Sequence, residues 1–143
     1  MTLLFTAEAT AIGGRQGYAE TSDGALRVKL GIPEAMGGPG DRGVTNPEQL
    51  FAMGYAAGFG SAIDYAAHLQ GVALATVRVH AKVHIVRRDN GGFELAVELA
   101  ANLAGVDRDD ARQLLQTAHA VCLYSRATRE NIVVTIRVDG VET

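Results

Sequence analysis

Cys122 is the only cysteine of the chain, so any thiol chemistry must start there. A thiol reacts as its thiolate, and a nearby cation raises the thiolate fraction while apolar burial lowers it. His119 lies three residues earlier, close enough on a helix to share a face with it. The ordinary role of a lone cysteine is that of a small buried hydrophobe. A His-x-x-Cys pair supplies only half of a structural zinc site. The other histidines, His68, His80 and His84, fall on other segments. On a strand His80 and His84 stand about 13 Å apart, too far to chelate one ion. Metal binding is therefore not expected.

Arg15 sits in Gly13-Gly14-Arg15-Gln16-Gly17, a turn flanked by glycines, and Glu48 sits two residues after a helix-start asparagine. Each alone has an ordinary role, as a solvated arginine and as a helix-start acid. Together they have the geometry for a bidentate guanidinium–carboxylate pair, if the fold brings them together. Gly54 and Gly58 form a G-x-x-x-G within a helical pattern, a spacing that suits close helix–helix contact through small residues. Glycine inside a helix costs about 1 kcal/mol against alanine, so something must compensate at Gly58. Ser61, Asp64 and His68 share one helix face, but the members of a catalytic triad normally come from separate elements.

The elements that must position these groups read off the periodicity. Leu4–Ile12 alternates with period two as a half-buried strand, and Gln16–Thr21 and Ala25–Leu30 complete an antiparallel meander. Residues 32–45 form a loop unusually long for a compact domain. Asn46 as N-cap, Pro47 at N1 and Gln49 at N3 open a helix expected to run to Leu69. This helix is apolar nearly all round, which calls for burial on most sides, most economically by a second subunit. Leu74–Arg88 and Phe93–Ala101 flank the turn Asp89-Asn90-Gly91-Gly92. A second helix begins near Val106-Asp107 with Leu114, Leu115, Ala118 and Val121 as its buried stripe. A short helix over Ser125–Asn131 and a strand over Ile132–Val138 close the chain. The order βββ-α-ββ-α-α-β groups strands and helices, so the fold class is α+β, in one domain over residues 1–143.

Composition narrows the function classes. The 143 residues are 48% hydrophobic and 20% charged, the balance of a globular domain. A net charge of -3 and no basic run beyond Arg87-Arg88 disfavour nucleic acid. Met1–Glu8 lacks the basic n-region of a signal peptide, and the longest uncharged apolar stretch, Leu50–Ile63, is too short to span a bilayer. The expected location is the cytoplasm.

Three stretches carry a resemblance. Thr6-Ala7-Glu8-Ala9-Thr10 with Gly13-Gly14-Arg15-x-Gly17 comes first. Thr45-Asn46-Pro47-Glu48-Gln49-Leu50-Phe51-Ala52-x-Gly54-Tyr55-Ala56-Ala57 follows, and Ala118-His119-x-Val121-Cys122-x-Tyr124-Ser125-x-Ala127-Thr128-Arg129-x-Asn131 completes it. In type, order and separation these resemble the organic hydroperoxide resistance proteins of the OsmC/Ohr superfamily. The resemblance implies an intertwined α+β homodimer with its central helices at the interface. It implies a thiol peroxidase that reduces organic and fatty-acid hydroperoxides to alcohols without a bound cofactor. Its disulfide is then reduced by dihydrolipoyl groups on a lipoylated partner protein. By motif position Arg15 holds the peroxidatic thiolate, Glu48 orients Arg15 and Cys122 is the resolving cysteine.

Gly58 departs from that pattern. The family motif reads Tyr-Ala-Ala-Cys-Phe where this chain has Tyr55-Ala56-Ala57-Gly58-Phe59, so the peroxidatic position holds no nucleophile. Leu123 also stands where proline is usual. Three readings stay open. The chain is a hydroperoxide reductase inactivated at Gly58, a non-catalytic relative that binds a lipid-like ligand in the dimer pocket, or a protein doing one-cysteine chemistry at Cys122. On the first, a cysteine restored at position 58 is expected to fit sterically.

Overall fold

The structure, a computed structural model, describes residues 1–139. The chain divides into two compact units, residues 1–50 and residue 51 onward.

The first unit holds three short antiparallel strands in the order β1-β2-β3: β1 (Ala9–Ile12), β2 (Tyr18–Thr21) and β3 (Arg27–Lys29). The register runs from Ala9 opposite Thr21 to Ile12 opposite Tyr18. The expected first strand is therefore shortened. Residues 4–8 alternate correctly in sequence, but only Ala9–Ile12 has a partner strand in the chain, and all four of its residues are exposed rather than half-buried. A single 3-10 turn, Gly14–Gln16, separates β1 from β2. Glycines are required around it. Gly13 has φ 81°, and a Cβ on Gly17 would stand 1.7 Å from the Ile12 carbonyl oxygen. Among the described residues of this unit only Leu30 is buried. It bridges to Thr45, which ties the base of the long loop, where a second 3-10 turn spans Glu34–Met36.

The long helix α1 (Pro47–Gln70) starts at the end of this unit and continues through the next. Asn46 Oδ1 accepts from the Gln49 N–H at 2.8 Å, as the capping motif requires. The return bond differs from the expected capping box: the Gln49 side chain accepts from the Thr45 hydroxyl at 2.7 Å.

In the second unit β4 (Val77–Arg87) and β5 (Phe93–Leu103) form the antiparallel hairpin, with Val83 opposite Val97. Next come α2 (Arg108–Val121), α3 (Leu123–Thr128) and β6 (Val133–Val138). β6 lies parallel beside β5, so the sheet order is β4-β5-β6 with both helices in the crossover. Asp107 caps α2, accepting from the N–H groups of Asp109 and Asp110. The core packs Tyr55, Phe59, Ile63 and Ala66 of α1 against Val97, Leu99 and Leu103 of β5 and Ala111, Leu114 and Leu115 of α2. Val121 does not belong to that stripe, being exposed at the last residue of α2. The last helix begins at Leu123, two residues before the expected start, because the chain breaks helicity at Cys122 alone.

Candidate functional site

Within the first unit the structure brings Arg15 and Glu48 together. The 3-10 turn presents the guanidinium and the first turn of α1 presents the carboxylate. Arg15 Nη1 donates to Glu48 Oε2 at 2.7 Å and Nη2 to Oε1 at 2.5 Å, the fork-to-fork geometry of a bidentate pair. The hydrogen bond from Arg15 holds the Glu48 carboxyl below its ordinary pKa, against the opposing effect of burial. The same bond raises Arg15 further above its own. Both are fully ionised at neutral pH, and the turn is fastened to the helix start by charge-assisted bonds.

In the second unit Gly58 and Cys122 line one open pocket of about 300 Å³, with Ser61, Ala62, Tyr65, Val121, Leu123 and Tyr124. Cys122 is 2% exposed and forms the hinge between α2 and α3. Its N–H donates to the Ala118 carbonyl at 2.8 Å, and its carbonyl accepts from the Arg126 N–H at 2.9 Å. Both helices thus satisfy their backbone groups through this residue while its φ and ψ leave the helical region. Leu123, the first residue of α3, is a position where proline is equally at home.

Tyr124 decides the shape of the pocket. A Cβ built on Gly58 would stand 2.6 Å from both Cδ2 and Cε2 of its ring, well inside the ~3.5 Å of optimal carbon contact. The expectation that a cysteine fits at position 58 is therefore corrected: the ring occupies that space and must move first. The contact at Gly58 is a side-chain ring on a helix, not the helix-on-helix approach that the G-x-x-x-G spacing suggests. The ring also packs on Tyr55, with centroids 5.7 Å apart. This packing against a bare helix backbone offsets the propensity cost of glycine. Beneath it, the buried Tyr55 phenol oxygen lies 2.9 Å from Ser125 Oγ and 3.2 Å from Thr128 Oγ1. Thr128 in turn donates to the Tyr124 carbonyl at 2.9 Å. This closed network fastens α3 to α1 and fixes Tyr124 and Cys122 above the helix. The sequence reading gave these hydroxyls no role. Their one signal was the spacing Tyr124-Ser125-x-x-Thr128, which places two small hydroxyls on one turn.

His119 and Cys122 do not share a site. His119 lines a separate groove with Arg108, Arg112 and Arg137. Burial, and then the charge of Arg129, lower its pKa. Arg129 is held there by a 2.6 Å bond to the His119 carbonyl. No hydrogen bond joins Ser61, Asp64 and His68 among the described residues, and no group of three or more His, Cys, Asp or Glu able to hold a metal ion occurs among them. Among the described residues, no helix is long and apolar enough to cross a membrane.

Comparison with known proteins agrees along the chain. The OsmC-like protein family matches residues 38–137. An organic hydroperoxide resistance protein from Xanthomonas axonopodis pv. citri is 47% identical over 135 residues, covering 94% of each chain. The organic hydroperoxide resistance protein OhrB of Bacillus subtilis is 42% identical, covering 90% of this chain and 93% of its own. The crystal structure of an organic hydroperoxide resistance protein from Legionella pneumophila superposes with a TM-score of 0.90 at 44% identity, over 96% of this chain and 98% of that one.

Proposed function

The chain belongs to the OsmC family of organic hydroperoxide resistance proteins, and on that premise we propose that it is a thiol peroxidase scaffold whose peroxidatic step is blocked at Gly58. In the reaction that the resemblance implies, a thiolate attacks the O–O bond of a hydroperoxide and takes one oxygen as a sulfenic acid, releasing the alcohol. A second thiol then condenses with the sulfenic acid, expelling water and leaving a disulfide for dihydrolipoyl groups to reduce. Arg15 and Glu48 are the pair for holding the first thiolate, and Cys122 is the second thiol. The observation that carries the proposal is the shared pocket of Gly58 and Cys122, with the Tyr124 ring standing where the first sulfur's Cβ would be. A lone Cys122 forms no intrachain disulfide after oxidation.

The test is turnover of cumene or tert-butyl hydroperoxide with dihydrolipoamide. The unaltered chain is expected to be inactive, Gly58→Cys to gain turnover, and Cys122→Ser in that background to lose recycling. Robust turnover by the unaltered chain refutes the block and favours one-cysteine chemistry. A folded Gly58→Cys protein that stays inactive, also with Tyr124→Ala, favours a binding protein for a lipid-like ligand. The Tyr124 ring packed into position 58 is the observation on that side.

The proposal includes a homodimer. α1 leaves Met53, Tyr65 and Leu69 more than half exposed, and Leu3, Leu4 and Phe5 are over 80% exposed. These are apolar groups that a second copy would cover. Light scattering is expected to give twice 15.0 kDa. A monomer at micromolar concentration removes this part of the reading.

A further inference from the structure

β6 is an edge strand. The sheet order β4-β5-β6 gives it one neighbour, and among the described residues no strand lies along its other side. The register decides which of its backbone groups are left free. The Asp139 N–H donates to the Ala101 carbonyl at 2.8 Å. Along an extended strand the N–H and C=O of one residue point to the same side, and the side alternates from residue to residue. Residues 133, 135 and 137 therefore turn to β5 with Asp139, while Val134, Ile136 and Val138 turn their N–H and C=O groups to the open side. Such edges are commonly blunted by a proline, a bulge or a charge. Val133-Val134-Thr135-Ile136-Arg137-Val138 has no proline, and its single charge, Arg137, is 3.7 Å from Glu98 of β5.

The same three residues line a groove of about 470 Å³ against α2. Arg108, Arg112 and Gln116 line it from the helix at every fourth residue, on one face with the buried Leu115. No acid is among its lining residues. Arg112 meets Asp109 only at 3.5 Å between exposed side chains, and no ion pair holds Arg108 among the described residues. His119 adds no fixed charge, since burial and Arg129 lower its pKa. An open row of alternating donors and acceptors selects its occupant. A free anion meets carbonyl oxygens there as often as N–H groups, whereas an extended peptide backbone matches both. A second copy of β6 brings its own arginines against these, like charge on like. We propose that the open edge of β6 takes up an extended acidic peptide segment of another protein as a fourth strand, with its carboxylates on Arg108 and Arg112. The inference goes beyond the peroxidase reading and does not rest on it: docking is read without any turnover.

The experiment is fluorescence anisotropy of a labelled, end-capped peptide of about eight residues, alternating valine and glutamate, titrated with the full chain at low and high salt. Binding is expected, weakened by salt. The matching valine–lysine peptide is expected not to bind. The double charge reversal Arg108→Glu/Arg112→Glu is expected to weaken binding about tenfold or more, through loss of two charge pairs and the addition of two repulsions. Its fold is checked by circular dichroism. The strand geometry is tested on the unaltered protein with two further glutamate peptides, N-methylated at every second residue in one phase or the other. Only one phase bonds to β6, so one of the two is expected to lose binding about tenfold or more and the other to keep it. Absence of binding by the glutamate peptide overturns the proposal. So does equal binding of the lysine peptide, unchanged binding by the folded charge-reversed variant, or full binding by both N-methylated peptides. Peptide binding that falls as the protein concentration rises assigns the edge to a second copy and overturns it as well.

Discussion

Gly58→Ala separates two forces that point in opposite directions. On helix propensity alone, alanine in the interior of α1 is worth about 1 kcal/mol over glycine. The Tyr124 ring opposes it. A Cβ at 58 meets two ring carbons at 2.6 Å, and relieving that contact means swinging out a ring that also stacks on Tyr55. Overpacking of this kind costs about 1–3 kcal/mol, and the lost stacking about 0.5–1.5 kcal/mol. Tyr124 is 40% exposed, so the swing is possible and the lower end of the range applies. Gly58→Ala is therefore expected to destabilise the protein by about 0.5 kcal/mol, reversing the sign that propensity gives. In a Tyr124→Ala background the obstruction is gone, and the same substitution is expected to stabilise by nearly the full 1 kcal/mol. The coupling between the two sites is thus about 1.5 kcal/mol. Urea denaturation of the four proteins at one fixed protomer concentration measures it, with the slope checked for constancy. If Gly58→Ala stabilises equally in both backgrounds, the ring does not fill position 58 and the account of the pocket is wrong.

Two further outcomes follow from the same geometry. Cys122, at 2% exposure, is expected to react with an aromatic disulfide reagent far more slowly in the native protein than in urea. Tyr124→Ala is expected to speed the native reaction several-fold, as followed by thiolate release. Glu48→Gln is expected to lower stability by about 1 kcal/mol at neutral pH, the scale of a bidentate pair that is only partly buried. Because the Glu48 pKa is depressed in the folded state, that contribution is fully present above the unfolded carboxylate value. It is lost as pH falls through the lower, folded value. Denaturation curves of the two proteins are expected to converge in acid, and a difference that persists below the Glu48 titration rules out the pair as its source.

Local rules made much of this legible. Asn46-Pro47 fixed the start of α1 because a capping oxygen and a preset φ act within one turn. Asp89-Asn90-Gly91-Gly92 fixed the hairpin for the same reason. What was hidden depends on partners distant in sequence. Leu4–Glu8 alternates like the strand after it, but alternation cannot say whether another strand runs alongside. The motif at Arg15 and the one at Glu48 each stood out, yet their pairing depends on how the meander folds back to the helix start. At position 58 the sequence displayed a missing side chain and concealed the replacement, because nothing local to Gly58 announces the ring of Tyr124.

The parallel pairing of β6 with β5 has a consequence in time. The β4–β5 hairpin closes through the five residues 88–92, so its contacts cost little chain entropy. The β6 strand docks only after residues 104–132, with both helices, have been laid across the gap. Contacts at that sequence separation form late in folding. The Cys122 hinge lies inside the segment that waits. Each newly made chain therefore passes through an interval in which its single thiol is uncovered. Oxidant arriving in that interval meets a more open sulfur than the 2% exposed one of the finished molecule.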